Sequence, residues 1–366
     1  MKRSVGSAMH CWSNSSLTPE VSIICMAYNH EKYIADALEG FLAQETSFPY
    51  EVIVHDDASL DDTADIIRSY AAKYGDVIRP ILQSENQHSK GVRLAPLLSD
   101  AARGRYVALC EGDDYWISKD KLQRQYDCLE RNPRCSASIH NAIVWDQEYQ
   151  IAFLSEVDKG DCFKDASRII LEGGGRLNPS ASIFCSKEQY CVYIAEGYRA
   201  PVGDHPLLMS LAAHGDLVWL CEPMSVYRLK ANSSWTFRTQ YQNVKSVESY
   251  CNGYVAFLRD FNERTGRVYS DAVEKRIAFQ ESHARDSVWM ARYACGECSF
   301  LSLSKQCCAT VAAKALIRKR FLRFKREIGR IELKGRTKRE GTFFCDMLQG
   351  APDLMKPLGR GRGEGK

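Results

Sequence analysis

The chain has 366 residues, and 49 lysines and arginines against 46 aspartates and glutamates leave a net charge of +3. This near balance excludes an extreme polyelectrolyte, but the charge is unevenly placed: residues 1–300 carry a balance of −8 and residues 301–366 a balance of +11. An acidic body with a basic tail suggests a polyanionic partner, such as a nucleic acid or a membrane surface.

The first part of the chain alternates short apolar runs with helical patterns after a polar tail. The predicted strands span residues 21–27, 50–55, 77–82 and 106–110, and the predicted helices between them span residues 33–42, 64–74 and 92–102. This alternation is typical of an α/β domain with a mostly parallel sheet. In such sheets, ligands bind beyond the carboxyl ends of the strands.

The rest of the chain is less regular. A helix predicted over residues 120–131 precedes strands near residues 136–146, 182–185 and 217–229, and helical patterns run from about residue 243 to residue 333. These patterns predict four regions: a disordered N-terminal tail (1–18), a main domain (19–240), a helical extension (241–340) and a flexible tail (341–366).

Two adjacent aspartates, Asp56 and Asp57, close the second predicted strand. Either Asp61 or Asp62 alone could cap the helix that follows. Because two carboxylates at a strand end exceed what a cap requires, the pair indicates a ligand role. A carboxylate there could accept the imide N–H of a uracil or a comparable base edge.

A second acidic run, Glu111-Gly112-Asp113-Asp114, follows an apolar strand. Three carboxylates within four residues repel one another unless a cation joins them. Hard oxygen ligands suit Mg²⁺ or Mn²⁺, and either ion can bridge a diphosphate. The alternative is a solvated acidic turn, which fits poorly directly after a core strand. The run therefore predicts a metal–diphosphate site formed by Glu111, Asp113 and Asp114.

Three segments in order carry a resemblance to a known family. They are Val21 to Asn29, Val52-Ile53-Val54-His55-Asp56-Asp57-Ala58-Ser59, and Gly104 to Trp116. Together they resemble the family-two glycosyltransferases, over about residues 19–230. The resemblance implies a Rossmann-like glycosyltransferase A-type domain with a mixed, mostly parallel sheet, followed here by a C-terminal helical extension. It also implies a nucleotide-sugar donor.

The same resemblance implies how the donor is held. Ala27 and Tyr28 match the turn that lies against the nucleotide, and Asp57, with Asp56 beside it, matches the carboxylate that reads the base. The run of Glu111, Gly112 and Asp113 matches the Asp-x-Asp motif, which contacts the ribose and the metal-bound diphosphate. Glutamate replaces the usual first aspartate, so the division of roles among Glu111, Asp113 and Asp114 stays open.

Three basic residues are further candidates for donor binding. Lys90 and Arg93 lie where the family often has basic residues near the donor, with an exposed loop charge as the alternative. Arg228 is placed to help neutralise the diphosphate, with a structural ion pair as the alternative.

The segment Pro201 to Leu207 resembles the part of inverting members that carries the general base. The reaction needs one carboxylate to remove the proton of the acceptor hydroxyl as that hydroxyl attacks the anomeric carbon. Asp204 is the candidate, and a helix N-cap is the alternative for it. His205 is expected to shape the pocket.

The cysteines and the N-terminus bear on the compartment. Fifteen cysteines lie scattered in the chain, which favours free thiols in a reducing environment over disulfides. Residues 1–16 lack the apolar core of a signal peptide, and no run of about 18 apolar residues occurs. Cys295, Cys298, Cys307 and Cys308 suggest zinc at first, but the second pair is adjacent, so buried helical thiols are the better reading. The sequence predicts a cytoplasmic protein.

The basic tail contains a predicted amphipathic helix over residues 314–338, where eleven lysines and arginines are interleaved with apolar residues. It could pack on the main domain or lie on an anionic membrane surface, and nucleic acid is the least favoured partner. The protein would then be peripheral on the cytoplasmic face of a membrane.

These observations predict an inverting, metal-dependent glycosyltransferase that uses Mn²⁺ or Mg²⁺. The expected donor is a nucleotide-diphosphate sugar, above all a UDP-sugar, and the expected acceptor is a saccharide or lipid-linked saccharide in polysaccharide, lipopolysaccharide or glycolipid biosynthesis. A metal-dependent sugar nucleotidyltransferase and a catalytically inert scaffold stay open as alternatives. A phosphate-binding loop and a dinucleotide fingerprint are both missing from the sequence, which argues against kinases and dehydrogenases.

Overall fold

The computed structural model describes residues 18–148, 150–157, 160–229 and 244–295. Within these residues, ten strands form one sheet and nine α-helices accompany it. The strands are Val21–Ala27 (β1), Tyr50–Asp56 (β2), Ile78–Leu82 (β3), Tyr106–Glu111 (β4), Tyr115–Trp116 (β5), Ala137–Asp146 (β6), Ile151–Leu154 (β7), Cys162–Lys164 (β8), Phe184–Ser186 (β9) and Leu217–Leu229 (β10). The helices are Ile34–Leu42 (α1), Thr63–Lys73 (α2), Leu94–Ala101 (α3), Lys121–Arg131 (α4), Ala166–Glu172 (α5), Lys187–Glu196 (α6), Asp204–His214 (α7), Val244–Arg264 (α8) and Ser270–Cys295 (α9).

The sheet is mixed, with strand order β3-β2-β1-β4-β9-β6-β10-β5. The first four of these strands run parallel, and β9 is antiparallel to β4 and β6 on either side of it. β6 and β10 again pair in parallel. The predicted Rossmann-like, mixed and mostly parallel sheet is confirmed. β1 reads as a nearly unbroken apolar run because the layers on both faces of the sheet bury it.

The shortest strands and the shortest helix could not be predicted from the sequence. The two to four residues of β5, β7 and β8 are too few to show a period, and the seven residues of α5 are scarcely more informative. The helix predicted from residue 92 begins at Leu94, because a 3₁₀ turn at His88–Lys90 ends on Gly91, whose φ is +74°. The strand predicted at residues 182–185 lies at Phe184–Ser186 and follows a second 3₁₀ turn, Ser180–Ser182.

The last two described helices share the core of the sheet. Tyr254, Phe257, Leu258 and Phe261 of α8 belong to one buried apolar cluster with Trp219 of β10 and several residues of α7. The described part of the predicted extension is therefore helical and packs on the sheet domain. Residues 296–366 lie outside the described residues, and with them the predicted basic helix at 314–338 and the cysteines Cys298, Cys307 and Cys308.

Two further expectations bear on the described residues. The nine cysteines described there, from Cys25 to Cys251, are free thiols. Of the helices that the structure describes, none has the length and apolar character needed to cross a membrane.

Candidate active site

The carboxyl ends of β1, β2 and β4 bring several predicted site residues to one edge of the sheet. Ala27 pairs in register with Asp56, and Met26 pairs with Glu111. The ladder continues one step past the strands, because the N–H of Asp57 donates to the carbonyl of Ala27 at 3.0 Å and the N–H of Gly112 donates to that of Met26 at 2.8 Å. This edge is the floor of the candidate site.

Asp56 is used within the turn that follows β2. Its carboxylate accepts the N–H of Ser59 at 3.1 Å and also the hydroxyl of Ser59, and the side chain is buried. The turn passes through Ala58 at a φ of +60°, a left-handed conformation that such side-chain bonds help to hold. The same turn supports the loop after β1, since the hydroxyl of Ser59 accepts the N–H of Asn29 at 2.8 Å. Asp56 thus shapes the wall beside Tyr28, and a direct donor contact by it stays a prediction.

Asp57 fastens the next segment of chain over the same edge. One carboxylate oxygen accepts the N–H of Gln87 at 2.8 Å, and the other accepts the N–H of His88 at 3.0 Å. The side chain of Asn86 donates to the carbonyl of Asp57 at 3.0 Å. A carboxylate has about four acceptor positions, so Asp57 keeps capacity for one further donor such as a base N–H.

The two basic candidates near this loop are exposed. Lys90 lies in the 3₁₀ turn that Asp57 fastens and forms an ion pair with Glu85. Arg93 directly precedes α3 and its guanidinium lies 3.4 Å from the carbonyl oxygen of Ile194. Their predicted contact with the donor stays a prediction.

The acidic run after β4 is divided by its own turn. Gly112 allows the close approach of two neighbours, since a Cβ there would lie 2.9 Å from both His30 Nδ1 and Ile34 Cδ1. Asp113 is buried with one carboxylate oxygen 3.9 Å from Nε2 of His30. Glu111 is exposed, and its carboxylate accepts the hydroxyl of Ser180 at 3.2 Å.

Asp114 is turned away from the other two carboxylates. It is 3% exposed, and its Oδ1 accepts the N–H of Arg228 in β10 at 2.8 Å. Within the described ranges, the structure contains no group of three or more His, Cys, Asp or Glu side chains arranged to hold a metal ion. The Oδ1 of Asp114 is occupied by the N–H of Arg228, and the predicted metal site of Glu111, Asp113 and Asp114 stays a prediction.

Arg228 stabilises the turn after β4 through several contacts. It is 4% exposed, donates to the carbonyl of Asp113 at 2.8 Å and forms an ion pair with Asp36. Its guanidinium also lies 4.4 Å from the ring centre of Tyr115. Of the two readings of Arg228, the structural ion pair is present in the structure, and its proposed action on a diphosphate stays a prediction.

The charges in the cleft influence one another. Although the residue as a whole is exposed, partial loss of water around its carboxylate, together with the negative charges of Asp113 and Asp204, raises the pKa of Glu111. Burial and the charge of Asp113 raise the pKa of Asp114 well above that of an ordinary aspartate, against the opposing N–H of Arg228. The negative charge of Asp204 thus acts on Glu111 although the two residues are far apart in the sequence.

Asp204 is the first residue of α7, and the N-cap position that the alternative reading gave to it is occupied by Gly203. Its carboxylate accepts the N–H of His205 at 2.8 Å and the N–H of Gly175. Burial raises the pKa of Asp204, whereas these two N–H groups and the positive charge of Arg276 act to lower it. A carboxylate with a raised pKa is suited to take up a proton.

His205 is buried behind the site rather than open to it. Its Nε2 lies 3.0 Å from the carbonyl oxygen of Ile169, and its Nδ1 is hydrogen-bonded to the hydroxyl of Tyr254. Burial lowers the pKa of His205 to about 3, so the ring is neutral. The expected pocket-shaping role of His205 agrees with this placement.

The sequence did not reveal the surroundings of Asp204. The only signal in the sequence is the run of three glycines from Gly173 to Gly175, which by itself indicates no more than a flexible loop. In the structure this loop holds the carboxylate, and a Cβ on Gly174 would lie 2.6 Å from Cγ of Asp204. Arg276 of α9 and Tyr254 of α8 also approach this region, and nothing in the helical pattern marks either of them.

Comparison with known proteins places these features in a family. The family model described as Glycosyl transferase family 2 matches residues 22–154. An uncharacterized protein of Mycobacterium tuberculosis is 38% identical over 215 residues, which are 59% of this chain and 60% of that protein. The chain thus spans about 60% of the length of the first relatives that it matches.

A relative with a described activity is matched over more of its length. The UDP-Glc:alpha-D-GlcNAc-diphosphoundecaprenol beta-1,3-glucosyltransferase WfaP of Escherichia coli is 31% identical over 181 residues, which are 48% of this chain and 68% of WfaP.

Solved structures support the fold. TarS of S. aureus in complex with UDP-GlcNAc superposes with a TM-score of 0.54 at 14% identity, over 85% of this chain and 92% of that one. The mannosyltransferase PcManGT from Pyrobaculum calidifontis, in complex with GDP-Man and Mn²⁺, gives a TM-score of 0.51 at 16% identity, over 88% and 89%. With the match to the family model, the likeness to WfaP and this shared fold, the chain belongs to glycosyltransferase family 2.

Proposed function

We propose that the protein transfers a sugar from a nucleotide-diphosphate sugar to an acceptor hydroxyl with inversion at the anomeric carbon. The observation that carries the proposal is the environment of the Asp204 carboxylate at the start of α7. Two backbone N–H groups, of Gly175 and His205, hold it, and its negative charge acts on Glu111 at the end of β4. The influence of Asp204 on Glu111 supports a proton acceptor near the Asp-x-Asp-like run.

Donor binding would use the edge formed by β1, β2 and β4. Asp57 and the loop that it fastens at Gln87 and His88 form the wall at which the base would bind. Ala27 and Tyr28 would lie against the nucleotide, and Lys90 and Arg93 would approach it from the loop and the start of α3. The donors in the solved structures of TarS and PcManGT, UDP-GlcNAc and GDP-Man, support a nucleotide-sugar donor here.

The residues present suit a divalent cation with two carboxylates rather than three. Asp113 and Glu111 offer hard oxygen atoms, which Mg²⁺ and Mn²⁺ prefer, and Mg²⁺ is commonly bound by one or two carboxylates together with substrate phosphates. The unneutralised repulsion that raises the pKa of Glu111 is what a bound cation would relieve. When bound, the ion would offset the negative charge that develops on the departing diphosphate. The Mn²⁺ in the PcManGT complex supports this choice.

The chain's own part in the reaction is to move one proton. Asp204 would accept the proton of the acceptor hydroxyl through a carboxylate oxygen while the hydroxyl oxygen forms its bond to the anomeric carbon. The bond between that carbon and the diphosphate oxygen breaks with its electron pair remaining on the diphosphate. The N–H groups of Gly175 and His205 keep the carboxylate in one orientation throughout.

The acceptor is proposed from the relatives. WfaP is described as acting on a sugar linked to diphosphoundecaprenol, and the match to it favours a saccharide or lipid-linked saccharide acceptor in polysaccharide biosynthesis. A UDP-sugar is the preferred donor on the same ground. A location at the cytoplasmic face of a membrane, through the basic residues of 314–338, rests on the sequence alone. Loss of sedimentation with anionic vesicles on deleting residues 310–366 would support it, and unchanged sedimentation would contradict it.

One experiment separates the proposed function from its alternatives. The protein is incubated with Mn²⁺ and a panel of nucleotide sugars, with and without lipid-linked saccharide, and released nucleoside diphosphate is measured. Acceptor-dependent release supports glycosyl transfer. Consumption of a nucleoside triphosphate with release of pyrophosphate would identify a nucleotidyltransferase, and turnover of no donor would support the inert scaffold.

A further inference from the structure

The helical hairpin formed by α8 and α9 reaches the surroundings of Asp204 through one arginine. Arg276 lies on α9, some seventy residues beyond the candidate base, and outside the 22–154 span that the family model matches. Its hydrogen bonds go to Leu171 of α5, just before the glycine loop, and to Tyr254 of α8, which is itself bonded to His205 at the start of α7. The inference that follows rests on the proposed role of Asp204 as general base.

On the loop side, Arg276 fixes the chain just before the glycines. Its Nη1 donates to the carbonyl of Leu171 at 3.1 Å, at the last turn of α5. Gly173 follows with a φ of +83°, and any Cβ there would overlap with the guanidinium of Arg276. From the other side, Asn178 donates to the carbonyl of Gly173 at 2.8 Å. The loop that supplies the Gly175 N–H is therefore held between Arg276 and Asn178.

Asn178 is itself part of a buried network. The fully buried ammonium of Lys164 lies between the carboxylates of Glu156 and Glu172, at 2.8 and 2.6 Å, and 3.4 Å from the amide oxygen of Asn178. Charged groups buried in this way hold fixed positions, since each loses heavily if its partners move. The anchoring of the loop opposite Arg276 is thus rigid.

On the helix side, Arg276 acts through Tyr254. Because the ring of His205 is neutral and its Nε2 faces the carbonyl of Ile169, Nε2 carries the proton and Nδ1 accepts the hydroxyl of Tyr254. The oxygen of that hydroxyl then accepts from Nη2 of Arg276 at 3.4 Å. A single directed chain of donors runs from Arg276 through Tyr254 and His205 to the backbone of α5.

We propose that Arg276 is a positioning residue for the reaction: it ties the loop bearing Gly175 to the helix bearing Asp204 and so sets the direction of the Asp204 carboxylate. Both N–H groups that hold this carboxylate belong to segments that Arg276 fastens, one through Leu171 and Gly173 and the other through Tyr254 and His205. The helical hairpin is therefore a working part of the catalytic site.

A matched control separates positioning from helix packing. Arg264 of α8 also donates to a backbone carbonyl of the sheet domain, that of Glu196 at 2.6 Å, and its guanidinium lies 5.0 Å from the ring centre of Tyr198. It makes the same kinds of contact as Arg276, whose guanidinium lies 5.7 Å from the ring centre of Tyr254, without touching the glycine loop. Arg276→Met and Arg264→Met each remove one charge and keep an apolar stem.

The kinetic test uses the full chain with its nucleotide-sugar donor. Arg276→Met should lower kcat by about 10–100-fold, the loss expected from a small misplacement of a reacting group, with the KM for the donor unchanged. Arg276→Lys keeps one donor for Leu171 and should recover part of the loss, and Arg264→Met should keep kcat. An equal fall of kcat in Arg264→Met, or a rise in donor KM instead of a fall in kcat for Arg276→Met, would overturn the proposal.

Hydrogen exchange tests the positioning whether or not a donor is found. Amides of residues 171–175 and 204–206 should exchange faster in Arg276→Met than in the wild type, and at the wild-type rate in Arg264→Met. Unchanged exchange in Arg276→Met would refute the proposal on its own. Wild-type protein that turns over no donor in the panel would count against the proposed function, and the exchange result would still decide whether Arg276 orders this part of the fold.

Discussion

The backbone N–H of Gly175 donates a hydrogen bond to the carboxylate of Asp204, 29 residues further along the chain. The second N–H on this carboxylate comes from His205 at 2.8 Å, so two different segments fix its direction. An aspartate used only as a helix cap needs the amides of its own helix and no others. The bond from the glycine loop is what favours a chemical role for Asp204 over a structural one.

We predict that Asp204→Asn removes transfer and leaves donor binding intact. The amide cannot take up a proton at neutral pH, so turnover should fall by about 10²–10⁴-fold, the usual contribution of a general base. Release of nucleoside diphosphate measures transfer, and titration calorimetry with the donor measures binding. Asp165→Asn is the matched control, because Asp165 is an exposed aspartate that caps α5 through the N–H of Arg168 at 2.7 Å. Turnover retained in Asp204→Asn would move the base to another residue.

Substitution of Gly174 should damage the site, whereas the same substitution of Gly203 should not. The Cβ of Gly174→Ala would lie 2.6 Å from Cγ of Asp204, so the carboxylate or the loop must shift. Overpacking of this kind costs about 1–3 kcal/mol of stability. Because the carboxylate is displaced, the variant should lose most of its turnover. The Cβ of Gly203→Ala would lie in open space although Gly203 directly precedes Asp204, so this variant should keep activity. Equal activity in both variants would show that the carboxylate has room to move.

The pH profile should show a shifted acidic limb. Burial raises the pKa of Asp204, and a general base works only in its unprotonated form. The value of kcat/KM should therefore rise with pH through a midpoint above about 3.9, the ordinary value for aspartate, and fall as the pH drops below that midpoint. Because the pKa of Glu111 is raised as well, Glu111→Gln is the control. If the limb disappears in Glu111→Gln, it belongs to Glu111 and not to Asp204.

Asp113 and Asp114 should respond differently to the same change. Asp113→Asn removes a candidate ligand and should weaken the Mn²⁺-dependent part of donor binding. The Oδ1 of Asp114 accepts the N–H of Arg228 at 2.8 Å, and the Oδ1 of an asparagine at this position would accept the same N–H. Asp114→Asn should therefore keep metal-dependent binding, as measured by calorimetry at increasing Mn²⁺. An equal loss in both variants would return Asp114 to the set of metal ligands.

The sheet could be predicted because its central strands are long and apolar. β1, β2 and β4 are mostly apolar, and polar residues at the carboxyl ends of such parallel strands gather at one edge. The placement of Ala27, Asp56 and Glu111 side by side follows from that rule and from the register of the pairs.

The finer assignments could not be predicted, because they depend on bonds between distant segments. The carboxylate of Asp114 is turned inward by the N–H of Arg228, which lies 114 residues away. The glycine loop matters because it contacts Asp204 and Arg276, and neither periodicity nor composition links these positions in the sequence. Adjacent carboxylates look equivalent in a sequence, whereas the fold gives each a different neighbour.

The shared core of α8 and the sheet has a consequence for synthesis. The ribosome completes β10 before it makes Tyr254, Phe257 and Phe261, whose side chains cover the apolar surface around Trp219. At about 5–20 residues per second, several seconds pass before the end of α9 has been made. During that interval the nascent sheet domain has all of the described strands and the candidate base but lacks its apolar cover, so its exposed apolar surface is open to binding by a chaperone.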